Sequence, residues 1–102
     1  MPAYLIGQVI VHDMERFAPY VADTSAAIAK YGGEVLDVVQ AAEVLEGDWP
    51  VGALTALVRF PDEVMARKFW DSPENQGSKE LRHATSDSNV ALCLTVPPPD
   101  IE

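Results

Sequence analysis

The chemistry-bearing side chains of this chain are few and scattered. His12 follows an apolar run and shares its alternating face with Gln8. An imidazole titrating near neutrality can act as a general base. The plainer reading is a solvated residue at a strand end beside Asp13. Arg59 stands between Val58 and Phe60, where a charge needs a partner or a ligand. It can hold a carboxylate or an enolate oxygen, or close a salt bridge across a subunit contact. Tyr20 offers a hydroxyl from a helix toward the layer between helices and sheet. Trp49 and Trp70 are large flat surfaces suited to a pocket mouth or to a subunit seam. Arg82 reads first as half of a structural ion pair, and His83 as a cation at a helix end. These residues make His12, Tyr20 and Arg59 the catalytic candidates, with Gln8, Trp49 and Trp70 as ligand contacts.

Other chemistries find no support. There is no Gly-x-Ser-x-Gly elbow and no phosphate-cradling glycine loop. The lone Cys93 lies in an apolar run and is expected to be a buried thiol. Two histidines among scattered carboxylates show no ligand spacing, so no metal is expected. Sixteen acidic residues against seven basic ones give a net charge of −9. That balance argues against nucleic acid, which needs clustered Lys and Arg, and against anionic membrane surfaces. The amino terminus lacks a basic, apolar leader and no run is long enough to span a bilayer, so the expected location is the cytoplasm.

The elements that must position these residues follow from periodicity. Tyr4–Val11 reads as a strand with Tyr4, Ile6, Gln8 and Ile10 on one face and Leu5, Gly7, Val9 and Val11 on the other. Asp13 caps a helix whose stripe is Phe17, Val21, Thr24, Ile28 and Tyr31. Pro19 requires that this helix start late or kink. Gly32-Gly33 ends it. Residues 34–40 form a second strand; Ala41-Ala42 interrupt or bulge it, and Glu43–Leu45 continue it toward a short turn at 47–52. Residues 53–60 are a third strand, paired with the second as a hairpin. Asp62 caps a second helix. Ser72-Pro73-Glu74 starts a third, over about 73–84. Residues 85–88 read as a loop and 89–96 as the last strand. The prolines at 97–99 begin an extended tail.

The order strand, helix, strand, strand, helix pair, strand is the split β-α-β, ferredoxin-like arrangement of α+β class. It gives one domain over residues 1–96, with a four-stranded antiparallel sheet. Helices cover one face only. Strands apolar on both faces need a second cover, so a homodimer packed sheet to sheet is expected.

An ordered set of segments also resembles the DUF1330 family. They are Ala3-Tyr4-Leu5-Ile6, Asp13, Tyr20, Tyr31-Gly32-Gly33, Glu43 to Trp49, Phe60-Pro61, Trp70-Asp71-Ser72-Pro73-Glu74, Gln76 and Leu81-Arg82. Three departures stand out. Asp37-Val38-Val39 occupies the place of a frequent Arg, Asn75 that of a usual aromatic, and Pro19 is unusual. The resemblance implies a dimeric α/β barrel of unknown function. Its superfamily contains cofactor-free monooxygenases, isomerases, haem-modifying enzymes and ligand-binding regulatory domains, among which fold does not choose. Two functions are therefore carried forward. One is a cofactor-independent enzyme, monooxygenase- or isomerase-like, on a small hydrophobic or aromatic metabolite. There His12 or Tyr20 handles a proton, Arg59 holds negative charge and the tryptophans stack on the ligand. The other is a non-catalytic binding or interaction module. That module would tolerate loss of His12 and Arg59 but not charge on the dimer sheet, as in Val9→Asp.

Overall fold

The computed structural model describes residues 1–40, 43–50 and 52–95. The expectations for Ala41-Ala42, for Val96 and for the proline tail lie outside them. Strand β1 spans Ala3–Val11, helix α1 Met14–Lys30, and strand β2 Glu34–Val39. Strand β3 spans Leu54–Phe60, helices α2 and α3 Glu63–Asp71 and Pro73–Thr85, and strand β4 Ser86–Leu94. The sheet order is β2-β3-β1-β4, and every pairing is antiparallel. This is an α+β ferredoxin-like fold.

Strand alternation divides the sheet into two chemically distinct faces. Ala3, Leu5, Gly7 and Val9 share a face with Phe60, Val58, Ala56 and Leu54 across the β1–β3 ladder. The helices cover that face, and Ala3, Leu5, Val58, Phe60, Ala27, Ile28, Ala66 and Phe69 form the core. Phe60 and Phe69 stack with centroids 5.4 Å apart. The other face carries Tyr4, Ile6, Gln8, Ile10, Leu57 and Arg59, and no helix among the described residues covers it. Val9 therefore belongs to the core, and Val9→Asp would break the fold rather than a sheet-to-sheet contact. Cys93 pairs with Tyr4 on this outer face and is exposed in the single chain, contrary to a core thiol.

Three caps start the helices where side-chain oxygens meet orphan amides. Asp13 accepts from the Arg16 amide at 3.2 Å, Asp62 from Met65 at 2.9 Å, and Ser72 from Asn75 at 3.1 Å. Helix α1 begins directly at Met14 and runs through Pro19. Pro19 lies on the exposed side, so the carbonyl that loses its amide donor there faces water, and a late start is unnecessary. At the other end Gly32 adopts φ +80°, and the Gly33 amide bonds the Ile28 carbonyl at 2.8 Å. Lys30 pairs with Glu74, which also accepts from the Tyr31 hydroxyl at 3.1 Å, tying the end of α1 to the start of α3.

Two connections differ from the sequence reading. Residues 43–45 are not strand, so β2 and β3 pair across a connection of residues 40–53 rather than a tight turn, and Leu45 is 90% exposed there. Residues 86–88 are not loop. Ser86, Asp87 and Ser88 pair with Val11, Ile10 and Val9, so β4 follows α3 without a break. Their polarity suggested a loop, but Thr85 and Ser86 turn their hydroxyls back onto the Leu81 and Arg82 carbonyls at 2.7 and 2.5 Å. That satisfies the helix end and frees the backbone for the ladder.

Candidate functional site

A cleft of about 150 Å³ opens between the helices and the covered face of the sheet. Its floor is built from the centre of the sheet. Gly7 on β1 faces Ala56 on β3, and Val90 flanks Gly7 on the other side. A Cβ at Gly7 would meet only Val90, at 3.8 Å. Two small residues side by side thus hollow the middle of an otherwise branched apolar surface. Phe17, Val21 and Ile28 of α1 supply much of the roof, and Val35 and Val38 of β2 the rim. Both β2 valines are more than two-fifths exposed, so the cleft reaches solvent on that side.

The polar end of the cleft comes from three helices. Tyr20 projects from α1, Trp70 from the last turn of α2, and Asn75 and Arg82 from α3. The corner between α2 and α3 is held by Ser72 and Asn75. Ser72 donates to the Phe69 carbonyl at 2.6 Å while capping α3, and the Asn75 amide group donates to the Trp70 carbonyl at 2.7 Å. Asn75 is 1% exposed. Its side chain fixes the helix turn that carries Trp70 and leaves the cleft wider than an aromatic would there.

The buried face of α3 is unusual. Its buried residues are Asn75, Ser78, Arg82 and Thr85, a polar stripe at helical spacing where an apolar one is the norm. Ser78 and Thr85 satisfy themselves on carbonyls one turn back. Arg82 does not. It is only 4% exposed, and among the described residues it forms no ion pair, which corrects the expected structural pair. Its guanidinium carbon lies 5.6 Å from the Trp70 ring centroid and 5.9 Å from that of Tyr20. Nη1 donates to the Tyr20 hydroxyl at a long 3.4 Å, and Nε has no partner among the described residues.

The candidates from sequence separate into two groups. Tyr20 and Trp70 line the cleft. His12, Gln8 and Arg59 occupy the outer half of the molecule, so the expectation that all six surround one cleft is corrected by strand parity. His12 lies at the exposed end of β1, and its Nε2 meets Asp87 at 2.8 Å. Gln8 pairs with Thr55 and Asn89 in the neighbouring strands. Arg59 is exposed and stands opposite Glu34 in the β2–β3 ladder. Trp49 is half exposed in the connection before β3 and is not a wall of the cleft. Sequence reasoning passed over Arg82 and Asn75 as site residues. Their signal was the 3-4-3 spacing of Asn75, Ser78, Arg82 and Thr85. It was masked because the opposite side of α3, with Gln76, Lys79, Glu80 and His83, is polar as well. Among the described residues no cluster of His, Cys, Asp and Glu could hold a metal, and no helix is long and apolar enough to cross a membrane.

The ferredoxin-like fold is shared with several solved proteins. The chain belongs to the DUF1330 family, a domain of unknown function, which matches residues 2–96. No functionally curated protein matches it. It is similar to RPA0582, a protein of unknown function from Rhodopseudomonas palustris. The TM-score is 0.76 and the identity 17%, over 95% of this chain and 84% of that one. It is similar to SnoaB, a cofactor-independent oxygenase from Streptomyces nogalater, with TM-score 0.68 and 16% identity over 95% of each chain. A dimeric ferredoxin-like protein of unknown function from Jannaschia sp. CCS1 gives TM-score 0.70 and 12% identity, over 93% of this chain and all of that one. At these identities the likeness is one of fold.

Proposed function

We propose that this protein is a homodimer that takes a small hydrophobic or aromatic molecule into the cleft of each subunit and acts on it without a bound cofactor. The observation that carries the reading is the cleft itself. It is largely apolar, of a volume suited to a single ring, and ends in a hydroxyl and a cation. Apolar walls with a few convergent polar groups are the usual form of a small-molecule site. Trp70 adds an aromatic wall at that end, against the Arg82 guanidinium. The Tyr20 hydroxyl accepts from Arg82, so its own proton is directed away from that cation and is available to the ligand. Proton transfer within one molecule is the simplest chemistry for this set. The Tyr20 oxygen takes the proton of a ligand C–H bond as its own hydroxyl proton passes to the ligand's carbonyl oxygen, so the C–H electron pair becomes the double bond of an enol, held in an enolate-like form beside Arg82, and Tyr20 ends as it began. Atoms and electrons are conserved, and no co-reactant is needed. Oxygenation of the same enolate would need molecular oxygen as co-substrate, as the fold neighbour SnoaB makes reasonable.

The dimer is supported by the uncovered outer face. Ile6 stands between Leu57 and Ala91 in the ladders, and Ile10 is 42% exposed. A second copy on that face would leave each sheet–helix cleft free.

One observation favours a non-catalytic alternative. Among the described residues the cleft wall contains no His, Asp, Glu or Cys, so a carrier that holds its ligand unchanged is the second reading. Native mass spectrometry followed by extraction in D₂O separates the two. The enzyme reading expects a dimer whose co-purified compound gains solvent deuterium, and loses that exchange in Tyr20→Phe by about a hundredfold or more. A bound compound returned without deuterium supports the carrier. A monomer with no affinity for small aromatics contradicts both.

A further inference from the structure

Arg82 is the one charged side chain that is buried among the described residues. A guanidinium stays protonated in proteins, so it cannot escape burial by losing its charge. Removing such an ion from water costs several kcal/mol even after the protein relaxes. The compensation present is incomplete. Two aromatic faces contribute roughly 0.5–2 kcal/mol each, one hydrogen bond is long, and Nε makes none. The other buried residues of α3, Asn75, Ser78 and Thr85, each bond a backbone carbonyl, and Arg82 does not, so helix packing gives no reason for it. A counter-ion that arrives with the ligand would supply one.

From this we infer that Arg82 is an anion subsite, and that the molecule taken by the cleft carries a carboxylate on a single apolar ring. The inference rests on the reading of the cleft as a small-molecule site. The geometry fits a planar oxyanion. Tyr20 and Trp70 lie against the guanidinium and Nη1 reaches the Tyr20 hydroxyl, which leaves Nε and Nη2 as the edge for a forked pair of hydrogen bonds. The hollow at Gly7 and Ala56 receives the ring. The Tyr20 hydroxyl stands beside the carboxylate as a second donor. The net charge of −9 opposes the approach of an anion. That repulsion acts through solvent and is screened over about 8 Å at physiological salt. The contact inside the cleft is screened far less.

The test uses the full chain with Trp49→Phe, so that emission reports Trp70 alone. Benzoate and benzamide share size and ring and differ in charge. Each is titrated at neutral pH into this protein and into its Arg82→Met derivative. The expected result is that benzoate binds at least tenfold more tightly than benzamide, and that Arg82→Met removes this preference while changing benzamide affinity less than threefold. Exchange of a buried ion for an apolar side chain of similar length is usually tolerated. Should that variant fail to fold, the ratio in the Arg82 protein decides alone. Equal affinities there overturn the anion subsite and leave the cleft reading standing. Saturable binding of neither compound overturns both.

Discussion

Gly7 lies directly opposite Ala56 in the β1–β3 ladder, at the centre of the covered face of the sheet. Their neighbours on that face are Leu5, Val9, Leu54 and Val58, so the pair is a depression in a surface of larger side chains. The depression is the floor of the cleft. Enlarging it from below tests the cleft without touching the helices. Ala56→Leu adds three carbons to the floor and should lower affinity for a single-ring ligand more than tenfold. The far-UV circular dichroism should be unchanged. Any stability cost should stay within the roughly 1–3 kcal/mol of an overpacked site, because open space is available to the new side chain.

Gly33 presents the opposite situation. A Cβ there would lie 2.6 Å from Phe60 and 2.7 Å from Ile28, both in the core. Gly33→Ala should destabilise the fold by about 1–3 kcal/mol, read as a lower urea midpoint with an unchanged slope. Gly77, where an added Cβ meets nothing, is the control. Gly77→Ala should be neutral or stabilising by up to about 1 kcal/mol.

The Lys30–Glu74 contact makes a signed prediction about acid. The Lys30 ammonium, the amide at residue 74 and the Tyr31 hydroxyl hold the Glu74 carboxyl at a pKa of about 2, below its ordinary 4.5. Between those values the unfolded chain binds more protons at this site than the folded one. Stability therefore falls as pH drops through that window and is unaffected by this group above it. Glu74→Gln should flatten that part of the urea-midpoint profile. The group is partly open to solvent, so the effect should be modest and should shrink in high salt.

For the dimer, Ile6 is the informative position because it lies on the outer face between Leu57 and Ala91. Ile6→Asp should give a folded monomer by light scattering, whereas the parental chain gives twice that mass. A dimer that survives Ile6→Asp unchanged would place the contact elsewhere.

The fold was legible because its signals are local and repeated. Alternation in Tyr4–Val11, the cap at Asp13 and the glycines at 32–33 each name an element. Their order then restricts the topology. The exceptions have physical causes. Ser86 and Ser88 look like loop residues but serve in a strand because the ladder uses backbone groups. Pro19 is tolerated because its side of α1 is wet. The site was less legible. His12 and Arg59 attracted attention because they are ionisable at the end of, or within, apolar strands, yet parity sends both to the uncovered face. Arg82 and Asn75 sit in a helix polar all round, where sequence gives no contrast between inside and outside. Only the packing of α3 against Tyr20 and Trp70 shows which side is buried.

The central claim is that the hollow above Gly7 and Ala56 receives a small ring. Methyl-resolved NMR of the unmodified protein, titrated with phenol, tests it most directly, since phenol is neutral and makes no use of an anion subsite. Saturable shifts on the cleft-lining methyls, Ile28, Val58 and Val90 among them, with Ile6 and Leu57 unmoved, are the result this account predicts. Shifts only on the outer-face methyls, or none that saturate, would contradict it.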